Sequence, residues 1–133
     1  MKKVENWQVI SKLAKDAGQP IILLIDQSDC PFCRRVESEF FAAIFAGGEF
    51  SERAIFGKVS IDEGETIVNK KGDQISTREF LSPYSSDFTP TVLFIDGEKN
   101  ELVERMVGLM TPDYYGYYLE KSIEKAISLV LGG

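Results

Sequence analysis

The 133-residue chain contains no histidine. That absence removes Ser-His-Asp and Cys-His catalysis, imidazole-ligated metal sites and histidine pH switches together. Cysteine is almost as scarce. Only Cys30 and Cys33 are present, so the chain is not a disulfide-stapled scaffold. Two thiols without histidine leave a four-coordinate zinc site half built, and no metal is expected. Basic residues are in deficit, 15 against 21 acidic, for a formal charge of −6. Phosphate binding relies on an excess of Lys and Arg, which argues against nucleic acid and against an anionic membrane surface as partners. Long apolar runs are missing too. Nothing approaches the ~18 consecutive residues of a spanning helix, so no membrane insertion is expected. The opening Met1-Lys2-Lys3-Val4-Glu5-Asn6 is basic, as a signal peptide's start is, but no apolar run follows it. The chain therefore reads either as a cytoplasmic protein or as the mature form of an exported one.

What is present suits one compact domain over residues 1–133, long enough to bury roughly two-thirds of its unfolded surface. Apolar residues at Trp7, Ile10, Leu13, Ala14 and Ala17 form a one-sided helical stripe, closed by Gly18 and Pro20. Ile21-Ile22-Leu23-Leu24-Ile25 is an unbroken, β-branched run, the pattern of a strand covered on both faces. Val36, Phe40, Phe41, Ile44 and Phe45 keep helical spacing up to Gly47-Gly48, and residues 54–61 form a second strand. An insert of about residues 62–86 follows. It holds a small hairpin around Lys71-Gly72-Asp73 and a short helix capped by Ser76 or Thr77, broken by Pro83 and the Tyr84-Ser85-Ser86-Asp87 run. Thr91–Ile95 and Glu101–Val107 are two further strands around an Asp96-Gly97 turn. Thr111-Pro112-Asp113 starts a closing helix that runs to Gly132-Gly133. This mixed order implies an α/β protein layered around one sheet.

Cys30-Pro31-Phe32-Cys33 is the segment with an explicit chemistry. Two cysteines at this spacing at a helix start can close a small disulfide ring. The first sulfur lies where unsatisfied N–H groups and the helix dipole stabilise a thiolate, the species that attacks disulfides. Cys30 is the expected nucleophile and Cys33, a turn further in, the resolving thiol. Pro31 fixes the first turn and Phe32 presents an apolar surface beside the sulfur. Asp29 raises the thiol's pKa while Arg34 and Arg35 lower it, so the net value stays open. Structural thiols, or half of a zinc site, are the bland alternatives.

Phe88-Thr89-Pro90-Thr91-Val92 is the second carrier, because a proline opening a buried strand withdraws a ladder donor. Either the proline is an ordinary trans residue at a strand start, or Thr89–Pro90 is cis and leaves the Thr89 backbone free to pair with an extended peptide. The tetrapeptide leaves both open.

Together these elements resemble the thioredoxin superfamily: the strand Ile21–Ile25, Cys30-Pro31-Phe32-Cys33 opening a helix, Thr89-Pro90 before Thr91–Ile95, the Asp96-Gly97 turn, and Gly108 before the Thr111-Pro112 helix. The likeness covers about residues 5–131 and is strongest to the SoxW-type thioredoxin-related proteins of the bacterial cell envelope. It implies a thioredoxin fold, a central mixed sheet flanked by helices with an N-terminal helix and the hairpin and short-helix insert before a cis-Pro strand. It implies a thiol–disulfide oxidoreductase acting as a protein disulfide reductase, with Cys30 attacking, Cys33 resolving, Pro90 as the cis-proline facing the disulfide, and Thr89 binding substrate main chain. The expected partners are protein thiol or disulfide substrates and a dithiol electron donor, with no cofactor beyond the Cys30–Cys33 disulfide. The resemblance implies a monomer in the periplasm or cell envelope, the alternative being the cytoplasm.

The chain departs from thioredoxin proper at two places. Asp29 replaces the tryptophan before the first cysteine, and Leu24 occupies the position of a buried acid six residues ahead of it. Asp26 shares Leu24's side if the strand runs that far, which makes it a candidate proton acceptor for Cys33, or else a solvated carboxylate at the strand's end. Cys-Pro-aromatic-Cys is also glutaredoxin-like, yet Asp96-Gly97-Glu98-Lys99 stands where a Gly-Gly glutathione site would follow. A peptide-binding module with structural cysteines is the non-enzymatic alternative. Of the rings in Tyr114-Tyr115-Gly116-Tyr117-Tyr118, one or two can face the core; the others form either a partner surface or simple packing on loops.

Overall fold

The computed structural model describes residues 1–85 and 88–132. Ser86 and Asp87 of the helix-breaking run, Gly133 and the side chain of Leu131 lie outside the described residues. Helix α1 spans Trp7–Ala17. The Asn6 side chain caps it by accepting the Gln8 and Val9 N–H groups, and Gly18 ends it in the left-handed conformation at φ 63°. Its buried face is Trp7, Ser11 and Ala14, whereas Leu13, expected in the stripe, is 52% exposed. The turn at Gly97 explains the rotation. With no side chain there, α1 approaches closely enough for the Ser11 hydroxyl to donate to the Gly97 carbonyl at 2.7 Å.

Four strands build the central sheet: β1 is Ile21–Asp26, β2 Ile55–Ser60, β5 Thr91–Ile95 and β6 Glu101–Val107. Their order across the sheet is β2-β1-β5-β6. β1 pairs parallel with β2, Leu24 opposite Lys58 and Asp26 opposite Ser60, and antiparallel with β5; β5 pairs antiparallel with β6. The sheet is therefore mixed, as the resemblance implies. The apolar run of β1 divides by alternation. Ile21, Leu23 and Ile25 join Trp7, Phe80 and Leu81 on one face, while Ile22 and Leu24 join Val36, Phe41, Leu119 and Ile123 on the other. Both faces are covered, which is why β1 carries no polar residue before Asp26.

The helix after the cysteines is not uniform. Segment α2 (Pro31–Arg35) runs through a wider π-helical turn over Val36–Phe41 into α3 (Ala42–Gly47). The wider turn rotates the face presented beyond it. Val36 and Phe41 stay fully buried, but Phe45, expected in the same stripe, is 44% exposed and packs edge-on against Phe56. Between β2 and β5, the strands β3 (Thr66–Val68) and β4 (Gln74–Ser76) form an antiparallel hairpin. Helix α4 (Thr77–Leu81) follows, with the Ser76 hydroxyl accepting the Glu79 N–H at 3.1 Å. A short 3-10 turn, Ser82–Tyr84, ends it. Helix α5, Pro112–Gly132, lays Tyr115, Leu119, Ile123, Ala126 and Ile127 on the sheet. Tyr114, Tyr117 and Tyr118 face outward. Among the described residues no helix is long and apolar enough to cross a membrane.

Candidate functional site

The site assembles where β1 and β6 end and β5 begins. Cys30 is the residue that caps α2: its backbone is extended, and its sulfur accepts the Cys33 N–H at 3.2 Å. Cys30 and Cys33 are joined by a disulfide with their Cα atoms 5.2 Å apart, and both are buried. Pro31 occupies the first turn, where no amide donor is required, and Phe32 projects with 59% of its surface exposed. The cysteine pair expected from the sequence is thus brought together at a helix start.

The loop entering the motif is held from two sides. The Asp62 carboxylate accepts the Ser28 N–H at 3.0 and 3.1 Å and the Ser28 hydroxyl at 3.0 Å. Arg34 donates to the Ser28 carbonyl at 3.2 Å, and Arg35 pairs with Glu39 at 3.1 Å. Both arginines therefore have partners of their own, a loop carbonyl for Arg34 and a carboxylate for Arg35. Asp62 follows β2, and its role was not legible in the sequence because nothing local links it to a loop 34 residues earlier.

The Thr89–Pro90 peptide is cis. The Thr89 hydroxyl donates to the Cys30 sulfur at 3.6 Å, so the segment before Pro90 lies against the disulfide. The Gly108 N–H donates to the Pro90 carbonyl at 2.7 Å, and the Thr91 hydroxyl to the Phe88 carbonyl at 2.7 Å. The loop is pinned at both ends while Phe88 and Met110 stand 73% and 84% exposed beside it. Phe32, between the two cysteines, and Phe88, next to Thr89, are exposed apolar side chains on the two segments that meet at the sulfur pair, an arrangement suited to an incoming polypeptide.

Asp26 is the last residue of β1 and alternates onto Leu24's face. It is not a freely solvated carboxylate, its side chain being only 14% exposed. One oxygen accepts the Ser60 hydroxyl at 2.5 Å and the other lies 3.9 Å from the Lys58 ammonium. Lys58 also donates to Glu37 at 3.0 Å, and the Met1 amino group donates to the same carboxylate at 2.8 Å. Burial pushes the Glu37 carboxyl up, but the bonds from the amino group and Lys58 outweigh it and hold the group below its ordinary range. Lys58 and Ser60 escaped the sequence reading, although a lysine inside an otherwise apolar strand was the available signal.

The sequence matches the thioredoxin-like domain family over residues 7–123. No curated protein matches it significantly. Among solved structures, a thioredoxin from Thermus thermophilus superposes with a TM-score of 0.64 at 18% identity, covering 99% of this chain and 93% of that one. Fasciola hepatica thioredoxin gives 0.61 at 21% identity, over 95% and 99% of the two chains. A structure described as DsbH oxidoreductase gives 0.61 at 20% identity, over 92% and 85%. Identities this low speak to the fold alone, and all three agree with the mixed sheet, flanking helices and N-terminal helix described above. With the family match covering most of the sequence, the chain belongs to the thioredoxin-like domain family.

Proposed function

We propose that the protein is a thiol–disulfide oxidoreductase that reduces disulfides in other proteins. The observation that carries this is the Cys30–Cys33 disulfide at the start of α2 with the Thr89 hydroxyl on the Cys30 sulfur. In the reduced protein the Cys30 thiolate attacks a substrate disulfide, forming a Cys30–substrate bond and releasing one substrate thiolate, which takes a proton. Cys33 then loses its proton and attacks the Cys30 sulfur. That forms the Cys30–Cys33 disulfide and releases the second substrate thiol, so two electrons pass to the substrate. A dithiol protein returns the two electrons and two protons. The electrons reside on the cysteine pair throughout, and no bound cofactor enters the scheme.

Chemistry assigns the remaining roles. Pro31, Phe32, Thr89 and Pro90 form the surface on which substrate main chain lies. Asp26, held near Ser60 and Lys58, receives the Cys33 proton during resolution. A monomeric protein of the cell envelope, of the SoxW-like kind, fits the hairpin and short helix between β2 and β5.

Trapping tests the reading. Cys33→Ser is expected to hold one equivalent of substrate as a mixed disulfide, and Cys30→Ser to abolish turnover. A variant pair that keeps its partner non-covalently in both cases identifies a binding module instead. The reduction potential sets direction: a value near ~ −270 mV suits a reductase and one near ~ −120 mV an oxidant. Asp26→Asn that leaves the pH profile of turnover unchanged removes Asp26 from the scheme.

A further inference from the structure

A cleft of about 470 Å³ lies between β6 and α5. Gly108 is among its lining residues and donates its N–H to the Pro90 carbonyl, one residue after the Thr89 that touches the Cys30 sulfur. From there it follows β6, an outer strand of the sheet, back to Val103. The redox scheme above uses none of it.

Tyr115 lines this cleft and is only 3% exposed, yet its hydroxyl is buried without a hydrogen-bond partner among the described residues. Buried polar groups are nearly always satisfied, and an orphan beside a cavity points to something that enters the cavity. Burial pushes the phenol's pKa up, so the group stays protonated and presents a donor. Tyr118, Ser122 and Lys125 follow at helical spacing and line the same wall. Lys121 adds a second ammonium, 3.8 Å from Glu124. Opposing charge is sparse. Glu104 is the one carboxylate among the described lining residues, and the Arg105 guanidinium is drawn away to Glu101 and the Tyr84 carbonyl.

Hydroxyls and ammoniums therefore dominate one wall, in a chain whose formal charge is −6. A donor-rich cleft takes an acceptor-rich, negatively charged occupant. The other wall is an outer strand, which recognises extended main chain. We propose that this cleft binds an acidic, extended segment of the substrate polypeptide adjoining its reactive cysteine, with Tyr115, Lys121 and Lys125 as its contacts. The inference rests on the redox reading and adds a substrate class to it.

Binding and turnover are read separately. Cysteine-free fluorescent peptides carrying a run of Glu, Gln or Lys are titrated against the oxidised protein by anisotropy. The Glu peptide is expected to bind about tenfold more tightly than the Gln peptide, as two exposed ion pairs permit, and the Lys peptide more weakly still. Lys121→Gln with Lys125→Gln is expected to erase most of that preference, and raised salt to shrink it. Tyr115→Phe is expected to weaken Glu-peptide binding severalfold with the circular dichroism spectrum retained. Equal binding of the three peptides overturns the proposal, as does a preference that survives the double lysine substitution. Displacement of the Glu peptide by citrate at equal carboxylate concentration overturns it as well, since it marks a site for small anions. Reduction of 2,2′-dithiodipyridine by the wild-type protein tests the redox reading alone, so failure there is seen apart from failure at the cleft.

Discussion

Replacing Asp62 by alanine is the most informative single perturbation outside the cysteines. It deletes the acceptor for both donors of Ser28 while leaving α2, Pro90 and the disulfide untouched. Hydrogen bonds to a charged acceptor contribute ~1.5–3 kcal/mol each where shielded. Ser28 is exposed and water replaces much of the loss, so ~0.5–1 kcal/mol for each of its N–H and hydroxyl is the appropriate scale, ~1–2 kcal/mol together. Urea unfolding of the oxidised protein is expected to show that loss as a lower midpoint with an unchanged slope. If the loosened loop must be re-ordered for Cys30 to react, ~1 kcal/mol lowers the second-order rate about fivefold, measurable by stopped-flow reduction of 2,2′-dithiodipyridine. Asp62→Asn keeps one acceptor oxygen and is expected to fall between wild type and alanine. An Asp62→Ala protein with the wild-type midpoint and the wild-type rate refutes the claim that this carboxylate positions the loop.

Gly97→Ala places a Cβ 3.0 Å from the Ser11 carbonyl oxygen and 2.9 Å from the Lys15 side chain. The backbone contact cannot swing aside, and a loss of ~1–3 kcal/mol is expected by thermal unfolding. Leu24→Ala empties a fully buried site between β1 and the cysteine helix and is expected to cost ~2–5 kcal/mol. Glu37 is held below its ordinary 4.5, so its contribution to stability is present above that pH and lost as pH falls through the depressed folded value. Glu37→Gln is expected to flatten the stability–pH curve in that acidic window. Lys99 behaves oppositely to a surface lysine: burial lowers its pKa from 10.5, so the unfolded chain binds more protons just below that pH and stability rises with pH there. Lys99→Met, which keeps a stem over the Phe80 ring, is expected to remove that rise in alkaline urea titrations.

Elements whose signal is local are legible in the sequence. Trp7–Ala17, Thr91–Ile95 and Glu101–Val107 come out with the expected bounds, because caps, breakers and hydrophobic period all act within a few residues. Leu13 and Phe45 show the limit of that signal. A helical stripe says that a face is apolar, but the Gly97 turn decides how α1 is rotated and the π-helical turn decides which face α3 buries beyond Phe41.

The site divides in the same way. Cys30-Pro31-Phe32-Cys33 announces its chemistry alone, since spacing and a helix start suffice to bring two sulfurs within bonding reach. Asp62 on Ser28, Thr89 on Cys30, Lys58 between Asp26 and Glu37, and the unpartnered hydroxyl of Tyr115 join residues from 21 to 59 positions apart, or leave one stranded above a cleft. Sequence by itself determined that a dithiol opens a helix beside a buried strand, because those interactions are short-ranged. Which carboxylate steadies it, which hydroxyl touches it and what lies alongside were decided only when strand pairing and helix packing brought distant segments together.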